Sequence, residues 1–160
     1  MPINNSKQRD SFVMDEDSVN EAVAEFLIDR GFNCVNYLSG KEHGTDVTAE
    51  KLGWSIWVES KGSKKNSSDD DLVFDSGQIK VHTGQQILKL MELANTQKQN
   101  VIFVMANPDL KRIRDRIGRV NQSLNKLGFV QFWVKEDKTI IVDYTNELKE
   151  ILEYLDILRA

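Results

Sequence analysis

A chain of 160 residues, 40% hydrophobic and 29% charged, has the length and balance of one soluble globular domain whose core needs no covalent staples. No apolar run reaches the roughly 18 residues that cross a bilayer, the polar N-terminus lacks a signal-peptide apolar region, and the lone Cys34 rules out an internal disulfide or a Cys/His zinc cluster, so a reducing cytoplasm is the expected setting. The net charge of −4 does not itself call for a nucleic-acid partner, but it is unevenly spread: residues 1–60 carry 5 basic and 11 acidic side chains, residues 101–135 carry 7 and 2.

Residues 1–17 are polar and aperiodic and are expected to be poorly ordered. From Ser18 the spacing of Val19, Ala22, Val23, Phe26 and Leu27 predicts a helix that stops at Gly31. The stretch FNCVNYL reads as a strand with Cys34 as a small buried residue, and DVTAEKL and WSIWVESK read as a hairpin closed tightly through Leu52-Gly53. Residues 62–78, rich in Gly, Ser, Asn and Asp, read as a mobile loop. A helix is predicted from Thr83 to Asn95, with Ile87, Leu90, Met91 and Ala94 on one face. VIFVMA has the continuous apolar character of a strand covered on both sides. PDLKRIRDRIGRVNQSLNKLG reads as one long amphipathic helix with Pro108 at its start and Gly128 at its end. Two late strands, FVQFWVKE and TIIVDY, and a closing helix, NELKEILEYLDILRA, complete the chain. The order predicts an α/β sandwich: one domain over residues 18–160, a mixed central β-sheet and helices on both faces.

The hairpin carries chemistry that a plain strand does not need. Alternation points Glu59 and Lys61 to the same face, and Asp46, at the start of the partner strand, lies within reach of both. Two carboxylates about 4 Å apart repel by about 4 kcal/mol at an effective dielectric near 20. A cation among them removes that cost, and two carboxylates, a backbone carbonyl and waters suit a hard ion such as Mg²⁺. Gly44 and Gly62 allow close backbone approach at either end.

The pattern GTD, 12 residues, then ESK resembles the active-site signature of the PD-(D/E)XK nuclease superfamily, and the order of elements agrees over roughly residues 18–135. Thr45 stands where that signature usually has Pro, a common departure. The resemblance implies a restriction-endonuclease-like three-layer sandwich. It implies that Asp46 and Glu59 hold Mg²⁺, with Mn²⁺ able to substitute, that Ser60 offers its backbone carbonyl, and that Lys61 serves the attacking water. The reaction implied is phosphodiester hydrolysis, on DNA ahead of RNA, as an endonuclease or exonuclease. A non-catalytic nucleic-acid-binding or assembly module on the same fold is the alternative. No membrane partner is expected. A homodimer, or a partner protein that supplies specificity, is the further expectation.

Other residues carry two readings. Relatives place an acid in the first helix, which points to Glu21, with Glu25 behind it, yet Ser18-x-x-Glu21 is also an ordinary capping box and Asn20 holds the position some families use. Some branches place a Gln in the helix after the Lys; Thr83-x-x-Gln86 reads as a capping box, leaving Gln85 for the site and a helix N-terminus there for a phosphate. His43 and His82 read as surface residues without a catalytic role, Trp54, Trp57 and Trp133 as packing, and Asp69, Asp70 and Asp71 as a solvated loop tip. Arg112, Arg116, Arg119 and Lys126 share one stripe of the long helix, either a row tracking a nucleic-acid backbone or a solvated face. Leu148, Ile151, Leu152, Leu155 and Leu158 form a closing stripe that packs on the core or on a second copy.

Overall fold

A six-stranded mixed sheet forms the centre of the computed structural model, which describes residues 3–4, 10–37, 44–66 and 72–159. In chain order the elements are β1 (Ile3–Asn4), α1 (Glu16–Asp29), β2 (Asn33–Tyr37), β3 (Val47–Lys51), β4 (Trp54–Ser60), β5 (Leu72–Val73), α2 (Ser76–Ala94), β6 (Val101–Pro108), α3 (Lys111–Gly118), α4 (Asn121–Lys126), β7 (Val130–Val134), β8 (Ile140–Asp143) and α5 (Lys149–Tyr154). The main sheet runs β2-β3-β4-β6-β7-β8; β4, β6 and β7 are parallel neighbours, and the outer pairings are antiparallel. A separate two-residue pairing joins β1 to β5.

The apolar run of β6 becomes a central strand because both its faces are covered. On one face Val58, Val104, Ala106 and Phe132 meet α1, whose Phe26 ring stands edge-on to Phe132 at 5.4 Å. The register Glu59↔Met105↔Gln131 defines the opposite face, which α2 and α3 approach through Ile79, His82, Thr83 and Ile113. Leu52 and Gly53 have φ of 51° and 82°, the left-handed pair that a two-residue turn between right-twisted strands requires. Among the described residues, no helix is long and apolar enough to cross a membrane.

Four expectations are revised. Residues 10–17 are not loose: Asp10, Phe12 and Met14 are buried, and Met14 exchanges hydrogen bonds with Ser63, its N–H donating to Ser63 Oγ at 3.0 Å and its carbonyl accepting from Ser63 N at 2.7 Å. Helix α1 begins at Glu16 because Asp15, not Ser18, is the cap, its carboxylate accepting from Ser18 N at 2.8 Å. Helix α2 begins at Ser76, since Asp75 and Gln78 form a reciprocal capping box. The long basic helix is two helices: Gly118, a poor helix former, ends α3, and Val120 with φ −126° redirects the chain before α4.

The closing segment is likewise a 3-10 turn, Asn146–Leu148, followed by the short α5. Leu152 and Leu155 are fully buried, so this stripe packs on the chain's own core. Lys51 ties it down, its ammonium donating to the carbonyls of Arg30 at 2.5 Å and Leu155 at 2.8 Å. Cys34 falls in β2; its side chain lies outside the described ones.

Candidate active site

The β3–β4 register, Val47 opposite Val58, brings Asp46 beside the end of β4. Asp46 Oδ2 accepts from Ser60 N at 2.8 Å, and its carboxyl contacts that of Glu59. Glu59 is 7% exposed, and its Oε1 is buried without a hydrogen-bond partner. Lys61 follows directly, its N–H donating to Ala106 O at 3.0 Å, and its half-buried side chain lines a small cavity with Gly62, Ile79, His82, Thr83, Asn107 and Ile113.

Burial pushes Glu59 up to about 8, the Asp46 charge adds to the rise, and Lys89 opposes it. Burial also raises Asp46, against the Ser60 N–H and the charges of Lys61 and Lys89. The two carboxyls therefore hold a proton between them at neutral pH unless another cation replaces it. A third carboxyl belongs to the same field. Glu16, in the first turn of α1, is raised to about 7 by burial and by Asp46, while Lys61 opposes. His82 is lowered by burial and by Lys61 and stands edge-on to Phe74 at 4.4 Å, a half-buried packed ring.

Asp46, Glu59, Ser60 and Lys61 thus lie together at one end of the hairpin. Glu21 does not join them: it is exposed, and the principal charges acting on Asp46 and Glu59 do not include it. The acid of the first helix that reaches this site is Glu16. The acidic run Asp15-Glu16-Asp17 offered that signal, and placing the cap at Ser18 hid it. Gln85 is exposed in the middle of α2, so the expected helix N-terminus is absent there. Its neighbour Gln86 is the buried one, and Nε2 donates to the carbonyls of Glu59 at 2.8 Å and Ala106 at 3.3 Å. Gln86 therefore clamps β4 to β6 where the carboxyls sit. Its Oε1, Asn107 Nδ2 and Gln131 Oε1 are buried without partners, which makes this end of the sheet unusually polar.

The expected basic row is broken. Arg112 is turned inward, its guanidinium held by both oxygens of Asp10 at 2.7 Å, and Lys126 sits on α4. Trp57 packs edge-on to Phe103, and Trp133 donates to Asp143 at 2.9 Å, as packing residues do. His43, Asp69, Asp70 and Asp71 lie outside the described residues.

A hard divalent ion suits this donor set. The buried, unpartnered Oε1 of Glu59 and the mutual contact of two desolvated carboxyls are both features that a cation relieves, and the available donors are oxygens. Among the described residues no three His, Cys, Asp or Glu side chains converge as a ready-made cage. Compared with known proteins, the chain matches no family model, no curated protein and no solved structure.

Proposed function

We propose that this chain is a Mg²⁺-dependent nuclease of the PD-(D/E)XK type on a restriction-endonuclease-like three-layer sandwich, cleaving DNA ahead of RNA. The observation that carries the reading is the Asp46–Glu59 carboxyl pair, desolvated and in contact, with an unpartnered oxygen and with Lys61 one strand period beyond Glu59.

Asp46 and Glu59 would hold the ion, with the Ser60 carbonyl beside them, and Glu16 would add a third carboxyl to the field around it. Mg²⁺ bound there stabilises charge on the phosphate and lowers the pKa of bound water; Mn²⁺ serves in its place. Hydrolysis forms one P–O bond from water and breaks one to the leaving sugar oxygen, which takes up a proton. Lys61 orients the water and donates to a phosphoryl oxygen as its charge grows. Gln86 acts through the backbone by fixing the Glu59 and Ala106 carbonyls, so it is a positioning residue.

The test is cleavage of supercoiled plasmid, linear duplex, single-stranded DNA and RNA in Mg²⁺ and Mn²⁺. Wild type is expected to cut, with Glu59→Ala and Lys61→Ala slower by at least about 100-fold, the scale of losing one electrostatic stabiliser. Equal cutting by all three proteins overturns the assignment. Tight DNA binding with no cutting in either metal favours the non-catalytic module.

A further inference from the structure

We infer that the cleft between α2 and α3 seats a backbone phosphate of the nucleic-acid substrate, adjacent to the one cleaved, with Arg116 and Arg119 as the cations that hold it; this rests on the nuclease reading above. A cavity of about 180 Å³ opens there, lined by Ser76, Ile79, Arg112, Asp115, Arg116 and Arg119. The three arginines follow one another at helical spacing along α3 and its C-cap.

Their charges are not equivalent. Arg112 is neutralised by the buried Asp10, and Asp115 is taken by Lys111 at 2.6 Å. Arg116 and Arg119 form no ion pair among the described residues. The cavity therefore keeps two arginines without an ion-pair partner beside the Arg112 that Asp10 holds. The volume is well below the roughly 300–1,000 Å³ of a site for a drug-sized ligand, so it fits a phosphate group and not a nucleotide. Two guanidinium forks are suited to phosphate oxygens.

Position links this cavity to the carboxyl site. Ile79 lines both it and the small cavity that Lys61 shares with His82 and Asn107. A strand whose scissile phosphate lies at Lys61 passes over Ile79 and presents a neighbouring phosphate to Arg116 and Arg119.

The experiment is equilibrium binding of the full chain to labelled duplex DNA in EDTA, so that nothing is cut, from about 50 to about 200 mM salt. For Arg116→Gln/Arg119→Gln, the slope of log K against log salt falls in magnitude by about 2, and low-salt affinity falls at least about tenfold. Lys135→Gln/Lys138→Gln, which removes the same charge from exposed positions elsewhere, changes the slope by less than about 0.5. Equal changes in both double variants, or none in the arginine variant, overturn the inference and leave the nuclease reading to stand on wild-type cleavage. If wild type binds no duplex, single strand or RNA, the nuclease reading fails instead, and inorganic pyrophosphate becomes the probe. A rise in Tm with pyrophosphate that the arginine variant lacks then sustains the phosphate cavity, and no rise in wild type overturns it.

Discussion

Glu59 and Glu16 titrate to about 8 and about 7 in the folded chain against an ordinary 4.5, so the native state keeps protons that the unfolded chain has released. The sign follows directly. Stability from these groups is complete below about 4.5 and is lost as pH rises through 7 and 8. His82, lowered from 6.5, acts in the opposite sense, since charging it on acidification costs stability. Thermal melts in EDTA should therefore show stability falling between neutral pH and about 8, with Glu59→Gln flattening the decline. At the proposed site Mg²⁺ would compete with the same protons, so the expected rise in Tm grows from pH 5 to pH 8 and vanishes in Glu59→Gln. A Tm rise that is independent of pH would place the ion elsewhere. The two neighbouring glutamines offer a second contrast. Gln86→Ala should cost about 1–3 kcal/mol in chemical denaturation, because it strips a buried donor from two carbonyls, whereas Gln85→Ala should stay within about 0.5 kcal/mol.

At the scale of elements, the end of β4 and the start of α1 meet without a gap. A Cβ on Gly62 would lie 2.6 Å from Asp15 C and 2.8 Å from Asp15 Cα, and closer still to Glu16 N. Gly62→Ala must push α1 away from the strand, at a cost of about 1–3 kcal/mol, and it carries Glu16 away from Asp46 in doing so. The Glu16 titration, followed by NMR, should then move back toward 4.5. Elements whose signal is a local pattern were legible in the chain: the Leu52-Gly53 turn, the apolar run of β6, the alternation that puts Glu59 and Lys61 on one face. What misled were competing local signals. Asp15-Glu16-Asp17-Ser18 offers several caps, and the Met14–Ser63 hydrogen bonds that fix the chain just before Asp15 are not visible in any local window. Asp75-x-x-Gln78 is as good a capping box as Thr83-x-x-Gln86, but it lies inside a stretch whose composition reads as loop. That choice shifted the helix start by seven residues and exchanged the roles of Gln85 and Gln86. Periodicity alone also runs straight through Gly118 and Val120, so it predicts one row of four cations where the backbone turns.

Across the whole molecule, the N-terminal stretch acts as a strap. Asp10 is 2% exposed at its side chain and is held by Arg112, 102 residues away. Removing one partner of such a pair leaves a buried charge, so Asp10→Ala should cost about 3–5 kcal/mol in equilibrium unfolding. A change below about 1 kcal/mol would mean that the pair is an incidental surface contact. Nothing in the composition of residues 1–17 marks Asp10 as half of a long-range pair. The partner choice depends on where α3 lies, which no local window contains.

The same long reach has a consequence for the order in which the protein is made. Asp46, Glu59 and Lys61 meet within one hairpin, a local pairing that forms early. Their surroundings arrive from further along the chain: the Gln86 clamp from 27 residues beyond Glu59, the β6 carbonyl that receives Lys61 N–H later still, and Arg112 from 102 residues after the strap that it anchors. A nascent chain that has emerged only through the hairpin holds Asp46, Glu59 and Lys61 without the burial that raises the two carboxyls. On the proposed nuclease reading, cleavage is therefore expected only from a chain that has completed the sheet, and a chain truncated after the hairpin is expected to show none.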